Sequence, residues 1–513
     1  MTFIIKQKIK GNTYLYEAVS IWDKEKKRSY QKRKYIGRDP DDKKSESDFF
    51  SGDISTKNYG NIFLLEYLSQ STGLASILNA MFPNNYKEIL WLTYFDICEA
   101  SPAYMFQYWQ EEHDYSGIRK LNSSAVSQLH NSLSSNSIRI KFINQWIEHL
   151  QPKEAIYYDV TSISSYSQGI ETVEWGYNRD KEKLPQINLG VVFSKIKSLP
   201  IYYYPYQGSI TDVSTLKNCI EYLKIAKLSD TMFVLDRGFF SKTNITAMND
   251  VKNGFQFIQP VPMSVKAAKE MLYKYRNELK DVNNAFLYND ELWYYKKTEF
   301  DYYDNKLCAH IYYNQKLAAE QRQAFTIDLL AVEAIIKKQI FASQKDFMQY
   351  KNTEMQAKHK VFFKWNRTLR AVEKDATKIN RFISKFGCFI MATNQKKLDH
   401  KQILDNYRQK DKVEKMFDIV KNELDGDRLR THNDKTTAGK LFIRFIALIL
   451  YAELSRTMKE TGLFKKFSVK ELIAELKKIK QTKIKGRQTI FSELSKRQKI
   501  IFKAFDIDVK VFS

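Results

Sequence analysis

The chain has few cysteines, and they lie far apart. Only four occur among 513 residues, and no two of them form a Cys-x-x-Cys pair: Cys98, Cys219, Cys308 and Cys388. This spacing excludes a disulfide framework or a zinc knuckle and indicates a reducing compartment. The seven histidines are also scattered, without the His-x-x-x-His pair that a zinc enzyme would carry.

Long apolar runs and several familiar motifs are missing as well. The apolar run 441–454 contains Arg444 and Glu453 and is shorter than the ~20 residues of a membrane span, so we expect a buried helix there. The apolar stretch after Met1 is too short for a signal peptide. The segment 208–212 lacks the lysine of a phosphate-binding loop, and no Gly-x-Ser-x-Gly elbow occurs. We therefore expect a soluble, cytoplasmic protein without a membrane partner.

Positive charge is what the chain has in excess. Lysine and arginine number 83 against 59 acidic residues, a net charge of +24. This balance favours a polyanionic partner, with nucleic acid ahead of an anionic membrane surface. A basic proteome or a ribosome-associated protein would give the same balance. With 43% hydrophobic residues over 513 positions, the chain can build three or more structural units.

The pattern of elements changes along the chain. The stretches 13–22 and 30–37 predict two strands around a polar turn. The second strand is basic, which suits either a hairpin that tracks phosphates or a sheet edge protected by lysines. Residues 57–150 have helical spacing. From 153, three strands, a helix, a strand, a helix and a strand predict an α/β layer compatible with a ribonuclease-H-like sheet.

The α/β alternation then stops and resumes. Residues 286–313 are rich in tyrosine and phenylalanine and predict strands, and 326–351 predicts helix. An apolar strand at 387–394 restores the alternation, followed by a helix from about 398 to 424. The simplest interpretation is one catalytic sheet that is split by an inserted subdomain.

Two predicted strands and one predicted helix each carry an acidic residue. Asp159 and Asp236 each end an apolar strand-like run, and Glu414 lies on the later helix. A carboxylate in any one of these places is common. Two Mg²⁺ ions about 3.5–4 Å apart need carboxylate oxygens from several directions. The joint placement therefore predicts a two-metal phosphoryl-transfer site.

Further polar residues accompany Glu414 on its predicted helix. At about 100° per residue, Tyr407, Lys410, Glu414 and Lys421 fall on one stripe roughly 60° wide. Apolar residues fill the adjoining face, so Glu414 is expected at the border of the buried face. The two lysines would then face the phosphates that the metals bind.

These residues resemble a known family, the DDE transposases of bacterial insertion sequences. The resemblance is to the group whose last catalytic helix carries Tyr-x2-Arg-x3-Glu-x6-Lys (the insertion-sequence-four-like transposases). Here the signature reads Tyr407-x2-Lys410-x3-Glu414-x6-Lys421. The flanking motifs are also similar: Asp159-Val-Thr-Ser, Asp236-Arg-Gly-Phe-Phe and the strand 387–394. The resemblance covers about 153–455.

The signature departs from the family in two places. Lys410 stands where the family has arginine, which keeps the charge and loses the bidentate fork. The usual small, basic segment after the catalytic helix is altered to 427–432, Asp-Arg-Leu-Arg-Thr-His.

The resemblance implies a metal-dependent DNA transposase. Asp159, Asp236 and Glu414 would bind two Mg²⁺ or Mn²⁺ ions, which would activate water to cut the transposon end. The freed 3′-OH would then attack target DNA. The implied DNA-contacting residues are Tyr407, Lys410, Lys421, Arg237 and Arg430.

The resemblance also implies partners and a division of the chain. The partners are the terminal inverted repeats of the element and the target DNA, bound by a homodimer, in a bacterial cytoplasm at the nucleoid. The predicted division is a basic β-hairpin module with a linker at 1–56, a helical DNA-end-binding region at 57–152, a ribonuclease-H-like catalytic domain at 153–260 and 387–455, an insertion at 261–386 and a basic helical region at 456–513.

Other interpretations stay open at this point. A decayed or domesticated transposase would bind DNA without cutting it, and a structure-specific nuclease on the same fold would cut without joining strands. Trp293 and Trp365 of the insertion either pack in a core or stack on a base flipped from the DNA end. The basic tail is a DNA-binding or partner-binding module, or a solvated helix pair.

Overall fold

The computed structural model describes most of the chain. The described ranges are 2–9, 12–39, 54–115, 117–152, 155–178, 181–226, 228, 231–250, 254–424, 428–484 and 488–512. Of the linker expected within 1–56, residues 40–53 lie outside them. Within these ranges, no helix is both long and apolar enough to cross a membrane.

Strands and helices alternate along much of the chain. The strands are β1 (Thr2–Ile9), β2 (Asn12–Asp23), β3 (Arg28–Arg38), β4 (Ile54–Asn58), β5 (Ile156–Ser164), β6 (Gln186–Ser194), β7 (Pro200–Gln207), β8 (Met232–Val234), β9 (Gln256–Pro260), β10 (Ala285–Tyr288), β11 (Glu291–Tyr302), β12 (Asn305–Asn314), β13 (Phe363–Asn366), β14 (Ala371–Lys374), β15 (Cys388–Thr393), β16 (Lys480–Ile484) and β17 (Ile490–Phe491). The helices are α1 (Gly60–Ser71), α2 (Leu74–Met81), α3 (Tyr86–Glu99), α4 (Phe106–Glu112), α5 (Ser123–Ser132), α6 (Asn136–Leu150), α7 (Asp212–Ile225), α8 (Lys242–Asn249), α9 (Lys266–Tyr275), α10 (Gln315–Lys337), α11 (Gln344–Thr353), α12 (Ala357–Lys360), α13 (Ala376–Ile383), α14 (His400–Arg408), α15 (Asp411–Asp418), α16 (Asp434–Glu460), α17 (Val469–Lys477) and α18 (Lys496–Ala504).

The chain forms two compact units. The smaller contains Met1–Ile62, Glu112–Asp114 and Glu471–Ser513, and the larger contains Phe63–Glu111 and Tyr115–Lys470. In the smaller unit β1, β2 and β3 form an antiparallel meander, and β4 pairs with β16, which pairs with β17. The two strands predicted around the polar turn are β2 and β3. The tail was expected to be helical, but it contributes β16 and β17 as well as helices.

The larger unit is built on a mixed sheet with the order β10-β11-β12-β15-β9-β8-β5-β6-β7. Strand β6 pairs antiparallel with both β5 and β7, and β5, β8 and β9 run parallel. Every residue of β6 is buried, as expected for a strand covered on both faces. Three antiparallel strands followed by two parallel ones, with helices in the crossovers, fit the expected ribonuclease-H-like arrangement.

The region 261–386 contributes both to this sheet and to a helical layer. Strands β10, β11 and β12 extend the sheet, because β12 pairs antiparallel with β15 and β15 pairs with β9. Helices α10 and α11 share a separate apolar cluster around Phe347, Phe362 and Phe363. The strands predicted at 286–313 are therefore part of the central sheet.

The apolar run 441–454 forms the middle of the buried helix α16, as predicted. This helix contacts α3, α5 and β7. Its charged residues have partners: Arg444 Nη1 donates to the carbonyl of Arg428 (3.4 Å), and Glu453 pairs with Arg456 (2.6 Å). Arg444 and Glu453 thus each have a polar partner on this largely apolar helix.

The connection between β5 and β6 is fixed to the start of α16. The Asp434 carboxylate accepts hydrogen bonds from the backbone N–H of Glu171 (2.9 Å), from the backbone N–H of Thr172 (3.2 Å) and from the Thr172 hydroxyl (2.8 Å). Burial raises the pKa of the Asp434 carboxyl, but these bonds lower it by more, so its pKa lies below the ordinary value.

Asp434→Asn is expected to lower the free energy of unfolding by about 1–2 kcal/mol at pH 7, because the charge-assisted bonds are lost. A depressed folded-state pKa stabilises the protein above the unfolded-state pKa of about 3.9, and that contribution disappears as the pH falls through the folded-state value. Urea unfolding of both proteins at pH 7 and near pH 3.5 measures this. The difference between them should shrink at the lower pH, and an undiminished difference would contradict this role for Asp434.

The segment 398–424 is not one helix, contrary to the prediction. Helix α14 begins with a capping box between Asp399 and Gln402 and ends at Arg408. A turn follows, in which the Lys410 N–H donates to the Tyr407 carbonyl (3.0 Å). Helix α15 then leads into a π-helical turn at Ile419–Glu423. Lys410 lies at this break, and its side chain is buried. The local sequence does not indicate the break.

Candidate active site

Asp159 and Asp236 lie on neighbouring parallel strands. In the register of β5 and β8, Tyr157 is opposite Val234. Continuing this register by two residues places Asp159 opposite Asp236, about one strand spacing (~4.8 Å) away across the sheet. The Asp159 side chain is 18% exposed and that of Asp236 is 48% exposed.

Backbone groups orient both carboxylates. Asp159 Oδ1 accepts from the Val160 N–H (2.8 Å), and Asp236 Oδ1 accepts from the Arg237 N–H (2.7 Å) at the start of a 3-10 turn. The Gln259 side-chain amide donates to the Asp236 carbonyl (2.9 Å). Both side chains are therefore held in position before any ligand arrives, as an active site requires.

The Lys410 ammonium group lies among three carboxylates. Its Nζ is 3.7 Å from Asp159 Oδ2, 3.8 Å from Asp236 Oδ1 and 3.3 Å from Glu414 Oε1. The lysine side chain is only 4% exposed. Burial lowers the pKa of Lys410, and the three carboxylates raise it by more, so its pKa lies above the ordinary value and the group is charged at neutral pH.

Glu414 reaches this centre from α15. Its side chain is 60% exposed, so the helix presents it to solvent and brings its carboxylate to the buried Lys410. The structure therefore brings together the three acidic residues singled out in the sequence. They come from two strands and a helix, and they face one common positive group.

Tyr407 and Arg237 lie beside the acidic residues. Tyr407 packs against the apolar cluster of α14 and the sheet. Burial, and next the charge of Asp236, raise the pKa of Tyr407 to about 12, with Lys410 and Arg237 acting in the opposite direction. Arg237 directly follows Asp236 and is exposed.

Lys421 and Arg430 lie farther along the chain. Lys421 is in the π-helical turn, where Leu424 N–H donates to the Ile419 carbonyl (3.0 Å). The pKa of Glu182 is lowered first by the Ser164 hydroxyl and then by Arg428, and the charge of Lys421 lowers it further. Arg430 is exposed and has a positive φ of 47°. Asp427, part of the altered segment, lies outside the described residues.

Sequence reasoning missed the residues that support α14. Lys195 Nζ donates to the Asn406 side-chain carbonyl (2.9 Å), and the Tyr157 hydroxyl donates to the Asn406 backbone carbonyl (3.2 Å). These bonds hold the end of the helix that carries Tyr407. The sequence signal that could have identified two of them is their closeness to predicted site residues. Asn406 directly precedes the signature residue Tyr407, and Tyr157 precedes Asp159 by two positions.

The two tryptophans of the insertion both contact apolar clusters. Trp293 is 3% exposed and lies beneath the Arg408 guanidinium, which is 4.9 Å from its ring. Trp365 stacks with Phe347 at 6.4 Å between ring centroids. Core packing therefore describes both side chains better than base stacking.

The donor set suits a hard divalent cation. Carboxylate oxygens are the ligands that Mg²⁺ and Mn²⁺ prefer. Among the described residues, no three histidine, cysteine or acidic side chains are close enough together to hold a metal as they stand. Lys410 Nζ is at the common point that such an ion would share with the carboxylates. The chemistry of the three side chains suits such an ion, and the buried Lys410 ammonium group lies among them.

A mixed sheet with carboxylates on adjacent parallel strands, and another on a following helix, has the features of a phosphoryl-transfer enzyme. Residues 150–450, more than half of the chain, match the family described as transposase DDE domain. The chain belongs to the DDE transposase family.

Other comparisons add little to this assignment. Among solved structures, the cryo-EM structure of a piggyBac transposase synaptic complex with hairpin DNA matches with a TM-score of 0.36 and 12% sequence identity. The match covers 80% of this chain and 70% of that chain. A likeness of this size supports no conclusion about the present protein. No curated protein sequence matches the chain.

Proposed function

We propose that this transposase cuts the ends of a bacterial insertion sequence and joins them to target DNA, by a cut-and-paste reaction. The observation that carries the proposal is the convergence of Asp159, Asp236 and Glu414 on one positive centre, within 3.3–3.8 Å of Lys410 Nζ. Scattered surface carboxylates would not surround a common buried cation.

In this proposal the three carboxylates hold two Mg²⁺ or Mn²⁺ ions. Bound there, the ions would supply the Lewis acidity that generates a nucleophile and neutralises the charge of the transferring phosphoryl group. The backbone N–H groups of Val160 and Arg237 keep one oxygen of each aspartate fixed. The remaining carboxylate oxygens then have little freedom to lose on metal binding.

The cationic residues around the triad would position the DNA strand. Arg237, beside Asp236, and Tyr407, near both Asp236 and Lys410, would contact a phosphate at the scissile bond. Lys410 would change partner from carboxylates to phosphate when the metals enter. Lys421 and Arg430, farther along the chain, would contact the same strand away from the cut. Two such sites are needed for two DNA ends, so we propose a dimer on DNA.

Nicking of DNA by the purified protein tests this function. Asp159→Asn and Asp236→Asn are expected to lower the rate of Mg²⁺-dependent nicking at least about a thousandfold, because several kcal/mol of metal stabilisation are lost. The substrate is a plasmid carrying the DNA that flanks the gene. Asp418→Asn is the matched control, since Asp418 is an exposed carboxylate on α15.

The products distinguish the related possibilities. Joined strand-transfer products alongside nicks support a transposase, whereas nicks without joining would identify a nuclease on the same fold. Unchanged nicking in the two aspartate variants would contradict the assignment of the site.

A second candidate function is DNA binding without catalysis. One observation favours it: Lys410 already neutralises all three carboxylates from a position that is 4% exposed. If the ammonium group never leaves, the site cannot bind divalent ions. This candidate predicts tight, salt-sensitive DNA binding with no nicking in Mg²⁺ or Mn²⁺.

A further inference from the structure

The connection between β5 and β6 carries three large aromatic side chains on the protein surface. Tyr166 is 74% exposed, Trp175 is 66% exposed and Tyr177 is 80% exposed. Single exposed apolar residues are ordinary, but several large rings in one short connection mark a binding surface. We call these three residues the aromatic surface.

The backbone beneath the aromatic surface is tightly fixed. Gly176 lies against Gly208, and a Cβ on Gly176 would be 1.9 Å from the Gly208 carbonyl oxygen. Glu174 and Gln186 exchange backbone hydrogen bonds (3.0 and 2.9 Å), and the Gln186 side chain donates to the Tyr177 carbonyl (2.8 Å). Trp175 and Tyr177 are therefore presented by a rigid segment.

The other end of the connection is equally well anchored. The Asp434 carboxylate holds the backbone of Glu171 and Thr172, and the Ser165 N–H donates to the Pro185 carbonyl (2.9 Å). A backbone that is already held in place in the free protein loses little freedom when its side chains bind a partner.

Positive charge accompanies the rings. The Arg428 guanidinium lies 5.5 Å from the centre of the Tyr166 ring and pairs with Glu182 (2.7 Å). Lys181 and Lys183, from the same connection, are exposed. Aromatic faces next to cations are the combination that binds unpaired nucleotides, because every base has a flat face and every phosphate a negative charge.

The connection that carries the aromatic surface begins at the end of β5, the strand that carries Asp159 of the candidate active site. Strand β5 carries Asp159 and ends at Ser164, five residues on, which is about 17 Å at 3.3–3.4 Å per residue. The Ser164 hydroxyl donates to Glu182 (2.6 Å), which pairs with Arg428. The positive charge of Lys421, seven residues after Glu414, also lowers the pKa of Glu182. A DNA strand crossing the carboxylates toward this end of β5 would reach the rings within a few nucleotides.

We propose that Tyr166, Trp175 and Tyr177 stack on the bases of an unpaired DNA strand next to the cut. The proposal rests on the proposed function in that DNA is the partner, but it concerns binding and not cleavage. It predicts that the protein prefers DNA ends with unpaired bases to fully paired duplex.

Binding of labelled DNA, measured by fluorescence anisotropy, tests the proposal. Trp175→Ala and Tyr177→Ala are each expected to weaken binding of single-stranded oligothymidine roughly tenfold, as the loss of one stacking ring does. Binding of blunt duplex should change less than twofold. The dependence of affinity on salt should keep its slope, since no cation has been removed.

Tyr273→Ala is the matched control. Tyr273 is also 74% exposed and also lies near an arginine, with the Arg276 guanidinium 5.1 Å from its ring centre. This variant should bind both DNAs as the unaltered protein does. Thermal unfolding of all variants checks that the fold is intact.

Three results would overturn the proposal. Unchanged single-strand binding in Trp175→Ala and Tyr177→Ala would do so, as would an equal loss for duplex. A change in sedimentation of the free protein, without a change in DNA binding, would identify the surface as a contact between copies instead. Failure to nick DNA would leave these binding results intact, so it would count against the proposed function alone.

Discussion

Glu414→Gln is expected to lower Mg²⁺-dependent nicking at least about a thousandfold while the affinity for DNA changes less than threefold. Glutamine keeps the shape of the side chain and removes the negative charge that a divalent ion needs. Because Glu414 is 60% exposed, the fold does not depend on burying it. The loss should therefore fall on the chemical step.

The measurement pairs single-turnover nicking with anisotropy on the same DNA. Glu423→Gln is the matched control, because Glu423 also belongs to the segment after α14 and also pairs with a lysine, Lys470, at 3.1 Å. It should nick normally. Loss of DNA binding in parallel with nicking would mean that Glu414 has a structural role, and normal nicking would remove it from the site.

Lys410→Met is expected to have opposite effects on the metal-free and metal-bound protein. Without the ammonium group, three carboxylates face one another with no counter-charge, so the free energy of unfolding in EDTA should fall by about 1–3 kcal/mol. The position among the carboxylates also becomes available, so Mn²⁺ should bind at least about tenfold more tightly. Stability should therefore rise steeply with added Mn²⁺.

Thermal unfolding in EDTA and across a Mn²⁺ titration, with calorimetry of Mn²⁺ binding, measures both effects. Lys415→Met is the matched control, because Lys415 is an exposed lysine of α15 next to Glu414. Lys410→Arg keeps the positive charge and should behave in EDTA as the unaltered protein does. If Lys410→Met binds Mn²⁺ no better than the unaltered protein, the ammonium group is not a competitor for the metal position.

The sequence predicted the strands of the site well because their signal is local. The short apolar run before Asp236 forms β8, and the run around Asp159 forms β5, each buried on both faces. A parallel pairing of such strands brings residues at their ends together. The two aspartates could therefore be predicted to share one site.

Helical periodicity predicted one continuous helix for the signature and missed the break between α14 and α15. Lys410, at the break, faces Glu414 as expected and also reaches Asp159 and Asp236, which lie far from it in the sequence. Helical periodicity contains no information about such a contact. Helical periodicity also did not indicate the π-helical turn that carries Lys421.

Two further features depended on pairing that no local pattern specifies. The aromatic stretch at 286–313 was assigned to the inserted subdomain, and only the pairing of β12 with β15 shows that its strands extend the central sheet. The contact of Gly176, next to the exposed Trp175, with Gly208 joins two residues that the sequence gives no reason to bring together.

The central claim is that Asp159, Asp236 and Glu414 jointly hold divalent ions. Iron-mediated cleavage of the protein backbone tests it most directly: Fe²⁺ replaces Mg²⁺, and ascorbate generates hydroxyl radicals at the bound ion. Backbone cuts are expected next to all three residues, and they should disappear with excess Mg²⁺ and in Asp159→Asn. Cuts elsewhere, or none at these three positions in the presence of DNA, would contradict the claim.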